Sequence, residues 1–355
     1  MRGFRWFFAL LPVLAAACDV SDPVSSSNEL DLREGTALAG ADQVIAATSV
    51  VWSADGGEIF YEATDGSLRS ASVAQAGTRV VDGPRDIREI IAGQGDRAVY
   101  YVADPGAGRS RIFRFAAGAT TPLTDRAPAT TPLGAVDGTL VLGGPGDIVA
   151  VYIVAPDSLF EYQVVTGTHR FITTGCVRIV TFAPDGDRLI CRRAGPRDGG
   201  YAVVDRLSRV IDGIAVIPSD PTANPRLVRW LVDNVRLLFS ADGRFRIRAV
   251  GESQTFTMWQ PPPGIGPRAI DFINYAWSAD GAKFAFWAHE CIKINVQGAC
   301  TFGQSVLHVV DLASNTGTQA VVVKGNRGGE QVAFSPDRQS IAYVFDGRIW
   351  VRDLN

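Results

Sequence analysis

The sequence predicts an all-β fold, a β-propeller of seven four-stranded blades, with six blades as the alternative. Three observations predict it. A turn motif recurs along the chain, the composition is rich in Gly (37) and Pro (19) without long helical apolar spacing, and a spare β-rich segment precedes the first repeat. Repeats of about 40 to 50 residues, each holding several short strands, are typical of propeller blades.

The repeat combines an aromatic residue, a tight turn and an alternating apolar strand. Asp side chains bond the nearby backbone and Gly accepts positive φ, while the alternation that follows buries every second side chain. Four copies are plain: WSADGGEIFYEA from Trp52, FAPDGDRLICRR from Phe182, WSADGAKFAFWA from Trp277 and FSPDRQSIAYVF from Phe334.

Three weaker copies fill the gaps between the plain ones. They are anchored at Ile91, Leu142 and Trp230, which gives seven anchors at intervals of roughly 39 to 57 residues. This spacing suits four-stranded blades. The units at Ile91 and Leu142 are degenerate, so six blades remains the competing interpretation.

The two chain ends are predicted to share one blade. A further β-rich segment follows each of the first six units, whereas the seventh ends at Asn355 without one. The segment NELDLREGTALAG, before the first unit, can supply the missing outer strand of the last blade. A ring closed in this way leaves no exposed sheet edge.

The N-terminal segment has the features of a targeting sequence. Arg2 and Arg5 precede a short apolar stretch, and three alanines run directly into Cys18. This pattern resembles the lipobox of bacterial lipoproteins, which implies lipidation of Cys18 and placement in the cell envelope; the alternative is an ordinary signal peptide cut after Ala17. Asp19 favours the inner membrane by the same resemblance, with the outer membrane open. We therefore expect a signal peptide at 1–17, a flexible tether at 18–29 and the propeller at 30–355.

The repeats point to a family. FSPDRQSIAYVFDGRIWVRDL and its WSADG and FAPDG relatives resemble the WD-like propeller repeat of TolB and related envelope proteins, over about residues 30 to 355. The resemblance implies a propeller fold, while a role in the Tol–Pal system does not carry over directly. TolB looks like a propeller preceded by a small α/β domain, and we expect no such domain between Cys18 and the first β segment of this chain.

Composition and motifs exclude several classes of function. The formal net charge is only −3, from 34 Lys+Arg and 37 Asp+Glu, and the basic residues are scattered, so we expect no nucleic-acid partner. No Gly-x-Ser-x-Gly elbow, phosphate-binding loop or acidic calcium loop is present, so no cofactor is expected. The only histidines, His169, His289 and His308, lie in no motif; His308 reads as a strand residue.

Two sets of repeat residues are interpreted as structural. The aspartates occupy equivalent turns of different blades and should lie far apart around the rim. The aromatic anchors should fill the wedges between neighbouring sheets. The aspartates are Asp55, Asp185, Asp280 and Asp337, and the aromatics are Trp52, Phe182, Trp230, Trp277 and Phe334.

Four cysteines remain besides Cys18, which suits two disulfides in an oxidising compartment. Cys291 and Cys300 bracket a short insertion and form the favoured pair. Cys176 and Cys191 form the second candidate, although simple hairpin register sets them ~13 Å apart, too far for a disulfide unless a bulge intervenes. No cysteine or histidine spacing suggests a metal site.

The best local candidate for recognition is the insertion FWAHECIKINVQGACTFG, which departs from the repeat and is predicted to project from one face of the ring. Its residues of interest are Trp287, His289, Glu290, Lys293 and Phe302.

Three functions stay open at this stage. The first is a non-enzymatic, lipid-anchored and monomeric scaffold that binds an envelope protein, peptide or glycan. The second is a propeller lyase or hydrolase, which needs polar side chains converging on the central channel. The third is a structural spacer without a small ligand.

Overall fold

The computed structural model describes most of the chain from Thr36 to Leu354. The signal peptide, the tether, Cys18 and Asp185 lie outside the described residues. The described residues are 36–42, 44, 50–93, 97–103, 111–123, 141–143, 149–154, 157–163, 166–183, 186–193, 201–207, 211–212, 228–231, 233–241, 244–252, 254, 256–259, 270–278, 280–296, 300–312, 314, 316–324 and 331–354.

All regular elements of the described residues are β-strands, arranged as seven four-stranded antiparallel sheets. We number these sheets as blades in chain order. Blade 1 contains β2 (Val51–Trp52), β3 (Glu58–Glu62), β4 (Leu68–Ser72) and β5 (Thr78–Asp82). Blade 2 contains β6 (Ile87–Ala92), β7 (Val99–Ala103), β8 (Arg111–Ala116) and β9 (Ala119–Pro122). Blade 3 contains β10 (Val141–Gly143), β11 (Val149–Val154), β12 (Ser158–Gln163) and β13 (Thr168–Thr173).

The later blades repeat this plan. Blade 4 contains β14 (Cys176–Phe182), β15 (Arg188–Arg193), β16 (Tyr201–Asp205) and β17 (Ile211–Asp212). Blade 5 contains β18 (Val228–Trp230), β19 (Arg236–Ala241), β20 (Arg244–Ala249) and β21 (Phe256–Trp259). Blade 6 contains β22 (Ile270–Trp277), β23 (Lys283–Ile294), β24 (Cys300–Asp311) and β25 (Thr316–Lys324). Blade 7 contains β26 (Val332–Phe334), β27 (Ser340–Phe345), β28 (Arg348–Asp353) and β1 (Thr36–Asp42).

The first strand of each unit lies innermost. In chain order these strands contact one another from β2 through β6, β10 and β14 to β18, and again from β22 through β26 back to β2. This arrangement is a β-propeller. Because the strands of a blade alternate in direction, the turns after its first and third strands lie on one face, which we call the turn face, and the second-to-third connection lies on the other.

Apolar clusters join each blade to the next. Trp52 and Phe334 belong to two of these clusters and Trp230 to a third, while Phe182 and Trp277 pack against two more. The anchors therefore fill the inter-blade wedges. The pairs that represent the seven junctions, from blade 1 onward, are Phe60 with Phe115, Val102 with Tyr162, Leu159 with Cys176, Ile190 with Leu237, Phe245 with Phe284, Trp287 with Tyr343, and Val344 with Tyr61.

The N-terminal strand β1 lies beside β28. β1 pairs antiparallel with β28, with Ala37 opposite Trp350. Ala41 is buried in the cluster that joins blades 7 and 1. The indole Nε1 of Trp52 in blade 1 donates a hydrogen bond to the carbonyl of Ala333 in blade 7, at 3.1 Å. Side chains and backbone thus link the two ends of the chain.

The repeat turn has one geometry in chemically different copies. In blade 1 the amide of Ser53 bonds the carbonyl of Glu58, and Gly56, at φ 73°, bonds the carbonyl of Ser53. Asn234 takes the position of this glycine in blade 5 at φ 58°, and Arg338 takes it in blade 7 at φ 66°. Gly is the residue that accepts this conformation without steric cost, so the copy with Asn234 is harder to recognise in the sequence, whereas the copy with Arg338 is still recognised by the residues around the turn.

The disulfide between Cys176 and Cys191 corrects the simple register argument. The two Cα atoms lie 5.7 Å apart and the sulfurs are bonded. Register shifts after Cys176 and after Ile179 interrupt the pairing of β14 with β15. Such bulges place extra residues on one strand and bend it, which removes the separation that regular pairing would impose.

We predict that β1 is held by burial of Ala41. The Ala41→Asp substitution should lower the free energy of unfolding by about 3 kcal/mol, because it places an unpaired charge in an apolar junction. Ala39→Asp, at an exposed position of the same strand, is the matched control and should change little. Urea unfolding of both variants measures the difference, and equal losses would contradict the role of β1.

We predict that the Cys176–Cys191 disulfide stabilises blade 4. Replacing both cysteines by alanine should cost about 3 kcal/mol, because the bond closes a loop with a sequence separation of 15. Thiol trapping of the unfolded wild-type protein should find neither cysteine free before reduction. Unchanged thermal unfolding of the double variant would show that the bond contributes nothing.

Candidate functional site

A cavity opens on the turn face at the centre of the ring. It has a volume of about 430 Å³ and is lined by the ends of the innermost strands of blades 1, 2, 6 and 7. We call it the channel mouth. Its largest side chains are Trp52, Trp277, Phe334 and Pro336, and the rest of its wall is formed by valine, alanine, glycine and two serines.

The two serine hydroxyls of the channel mouth are already engaged. Ser53 donates to Asp55 at 2.7 Å and accepts from the amide of Glu58 at 2.9 Å. Ser335 makes the equivalent bonds to Asp337 and with the amide of Ser340. No titratable side chain lines this cavity as described, so it offers apolar surface and backbone groups to a ligand.

A second, polar cavity adjoins the first. It has a volume of about 170 Å³, runs between blades 1 and 2, and shares Ser53 and Ala54 with the channel mouth. We call it the radial groove. Its charged lining residues are Asp55, Glu58, Arg79 and Arg97. The described site therefore has an apolar part on the axis and a charged part directed outward.

The repeat aspartates serve the turns that surround this site. The hydroxyl of Ser53 and the amide of Gly57 both donate to Asp55, which holds the pKa of that carboxyl below its ordinary value. The hydroxyl of Ser278 is the main cause that lowers the pKa of Asp280 to about 2, with further contributions from the amide of Ala282 and from Arg338. Ser335 lowers the pKa of Asp337 in the same way. These carboxylates are ionised and already accept hydrogen bonds from their own turns.

The predicted recognition loop is an extended hairpin. β23 and β24 each have 12 residues and pair as far as Ile294 opposite Cys300. The insertion thus lengthens two strands, because its residues keep the alternation that a sheet can continue. The hairpin tip points away from the turn face, and its Val296 is 98% exposed.

The residues singled out in this insertion divide between core and surface. Trp287 is fully buried between blades 6 and 7, with its ring 5.8 Å from that of Tyr343, so its assignment to a binding loop was wrong. Glu290 is also fully buried. His289 is half-buried on β23 and Lys293 is exposed. Phe302 lies on β24, and its side chain is outside those described.

Cys291 is disulfide-bonded. The side chain of its expected partner, Cys300, lies outside those described. The backbone pairs Cys291 with Gly303 and Ile294 with Cys300. The Cys291–Cys300 bridge therefore stays a prediction.

A buried polar cluster lies at the base of this hairpin, which the sequence did not reveal. His308 is a strand residue as predicted, and its Nε2 lies 2.8 Å from Oε1 of Glu290. Gln304 donates to Oε2 of Glu290 at 3.0 Å. The imidazole lies against Phe286 and Trp259, with ring centroids 5.0 and 5.1 Å away.

The cluster keeps Glu290 ionised in an apolar setting. Burial alone raises the pKa of Glu290, but the hydrogen bonds with His308 and Gln304 and the positive field of His308 outweigh it, so the pKa lies below its ordinary value. Neither the channel mouth nor the radial groove is lined by any of the three residues. The cluster therefore serves the packing of blades 5 and 6.

The remaining histidine packs against a tyrosine. His169 lies on β13 beside Tyr162, with ring centroids 4.8 Å apart, and burial lowers its pKa. The described residues contain no group of three or more His, Cys, Asp or Glu side chains able to hold a metal ion. They also contain no helix of the length and apolarity needed to cross a membrane.

Comparisons with known proteins agree on the fold. No family model and no curated protein matches the sequence. Among solved structures, an oligogalacturonate lyase from Vibrio parahaemolyticus is similar with a TM-score of 0.64 at 12% identity, over 90% of this chain and 93% of that one. The propeller domain of Cps50 (Swd1) from Myceliophthora thermophila gives a TM-score of 0.56 at 14% identity, over 86% and 96% of the two chains. The protein therefore belongs to the β-propeller fold class.

We predict that the Glu290 cluster makes stability depend on acid pH. At pH 7 the Glu290→Gln variant should lose about 2 kcal/mol, because an amide cannot accept both hydrogen bonds of the carboxylate. A carboxyl whose pKa is lowered by folding stabilises above its unfolded value of about 4.3, and this contribution is lost as pH falls through the folded pKa. The stability gap between wild type and variant should therefore narrow below about pH 4.

Denaturant unfolding between pH 7 and pH 3 measures this gap. Glu252→Gln, at an exposed position, is the matched control and should follow the wild type throughout. A gap for Glu290→Gln that stays constant with pH would contradict the ionised cluster.

Proposed function

We propose that this protein is a non-enzymatic binding propeller of the bacterial cell envelope that takes up an extended peptide segment of an envelope protein at the channel mouth. The observation that supports this most is the lining of the mouth. Trp52, Trp277, Phe334 and Pro336 surround a space of about 430 Å³, which is enough for a few side chains of a bound peptide. Backbone N–H and C=O groups of the mouth supply the hydrogen bonds to the bound peptide.

The chemistry of the mouth suits binding better than catalysis. An acid–base mechanism requires a titratable side chain within hydrogen-bond reach of the substrate. The described lining provides serine hydroxyls that are committed to their own turns. Trp52 and Phe334 are buried in the blade junctions, whereas Trp277 is half-buried and presents an aromatic surface of the kind that commonly anchors a ligand.

The ring that carries this site is proposed to have seven blades closed by β1. The seven four-stranded sheets support this count, and the pairing of β1 with β28 supports the closure. The contact of β26 with β2 and the bond from Trp52 to Ala333 add to it. A closed ring holds the four strand ends of the mouth at fixed positions.

The cellular setting is also a proposal. Lipidation of Cys18, a tether to residue 29 and a TolB-like role as a monomeric envelope scaffold are supported by the N-terminal sequence and the repeat pattern. The Cys176–Cys191 disulfide is compatible with an oxidising compartment such as the periplasm. Asp19 favours the inner membrane over the outer one.

A second candidate function is enzymatic cleavage of an acidic glycan. The structural likeness to an oligogalacturonate lyase favours it, although at 12% identity this likeness concerns the fold. The test is incubation of the purified protein with oligogalacturonate. A lyase leaves a carbon–carbon double bond that absorbs ultraviolet light, and a rise in absorbance would favour this function over the binding scaffold.

We predict that blocking the mouth abolishes peptide binding. Ala54 is exposed in the turn after β2 and lines the mouth, so Ala54→Trp should fill the space without removing a packing contact. Binding to an array of short peptides tiled across envelope proteins should weaken by more than about tenfold. Ala74→Trp, at an exposed position on the same blade, should bind as the wild type does.

Thermal unfolding of both tryptophan variants controls for folding. Two results would overturn the proposed function. One is that no peptide binds the wild type, and the other is that Ala54→Trp binds the same peptides as Ala74→Trp.

A further inference from the structure

The radial groove continues the channel mouth toward the rim of the ring. Both cavities are lined by Ser53 and Ala54, so the groove begins directly beside the mouth. The outer part of the groove is formed by β5 of blade 1 and by Phe115 to Gly118 of blade 2. A peptide held at the mouth can therefore extend between blades 1 and 2.

Two of the four charged groups in the groove neutralise each other. The Nη2 atom of Arg79 bonds both carboxylate oxygens of Glu58, at 3.0 and 2.9 Å. The same guanidinium lies 5.5 Å from the centre of the Phe115 ring. This pair leaves little net charge of its own for a ligand.

Asp55 is occupied by its own turn. One of its oxygens accepts hydrogen bonds from the hydroxyl of Ser53 and the amide of Gly57. The pKa of Asp55 is lowered chiefly by these donors, and Arg97 contributes a weaker charge effect. Asp55 therefore stays ionised as a structural group of the turn.

Arg97 is the remaining cation. It is exposed in the turn between β6 and β7, lines the groove, and makes no hydrogen bond or short ion pair with any residue that the structure describes. Its backbone φ of 53° is set by the turn, which fixes where the side chain begins. A guanidinium offers five donors in a planar arrangement that matches a carboxylate.

We propose that the radial groove binds a carboxylate of the ligand, with Arg97 as its recognition residue, so that the ligand is an acidic peptide segment. This inference rests on the proposed function, because it assigns the chemistry of the peptide held at the mouth. The ligand combines an apolar stretch for the mouth with an Asp or Glu side chain a few residues away. A basic residue of the ligand is disfavoured in the groove, because Glu58 is already paired with an arginine and Asp55 already accepts hydrogen bonds within its own turn.

The test compares matched peptides on three forms of the full protein. Peptides that bind the wild type are synthesised with their acidic residue kept or changed from Glu to Gln. Binding is measured to the wild type, to Arg97→Gln, and to Arg193→Gln as a control at an exposed arginine far from the groove in blade 4. Terminally blocked Ala-Glu-Ala and Ala-Gln-Ala serve as probes of the groove alone, followed by NMR.

The acidic peptide should bind the wild type and Arg193→Gln about tenfold more tightly than its Gln counterpart, as one charge-assisted hydrogen bond at a partly exposed site allows. In Arg97→Gln the two peptides should bind equally. The preference should also shrink as salt is raised, since exposed charges are screened over about 8 Å at physiological ionic strength.

The possible outcomes separate the two proposals. Equal binding of the acidic and Gln peptides to the wild type overturns the carboxylate site and leaves peptide binding at the mouth intact. Tighter binding of a lysine-bearing peptide than of the acidic peptide has the same meaning. A third outcome is that Ala-Glu-Ala shifts NMR signals of the wild type but not of Arg97→Gln, while none of the longer peptides binds. This outcome keeps the carboxylate site and overturns the proposed function. No binding of any probe overturns both.

Discussion

The architecture depends on covering both faces of every sheet. A four-stranded sheet of this length is unstable alone, because each face carries apolar side chains that must leave water. Here every face packs on the neighbouring blade, through rings such as Phe245 against Phe284 and Trp287 against Tyr343. This packing requires a neighbour on each side of a sheet. The cluster that contains Ala41 and Val344, together with the bond from Trp52 to Ala333, satisfies that requirement.

Most of this architecture could be predicted from the sequence. The turn chemistry and the alternation that follows it are local properties, so Trp52, Trp277 and Phe334 mark inner-strand ends without knowledge of distant contacts. The spare N-terminal segment is a local property too, and its residues from Thr36 onward pair with β28. The weaker units at Ile91 and Leu142 also form four-stranded sheets, because side-chain alternation survives where the turn residues have changed.

Features that depend on geometry beyond the repeat could not be predicted. The distance from Cys176 to Cys191 depends on bulges in β14, which have no composition of their own. The insertion in blade 6 was expected to be a loop, yet its residues continue the ladder and bury Trp287 and Glu290. The partners of Glu290 are 14 and 18 residues away and meet it through strand pairing. Sequence spacing did not show that contact.

The character of the candidate site depends on which polar atoms the repeat turns leave available to a ligand. In blades 1, 6 and 7 the turn after the first strand binds its own Ser hydroxyl to its own Asp carboxylate, so these repeat residues have few polar atoms left for a ligand. Under the proposed function, ligand specificity then comes from positions where one blade differs from the others. Arg97 is such a position: the plain repeats have Gly57, Asp187, Ala282 and Gln339 at the corresponding place, and none of these is a cation. Under the proposed function, a ring of similar blades gains selectivity where one blade carries a residue that the plain repeats lack, as blade 2 does at Arg97.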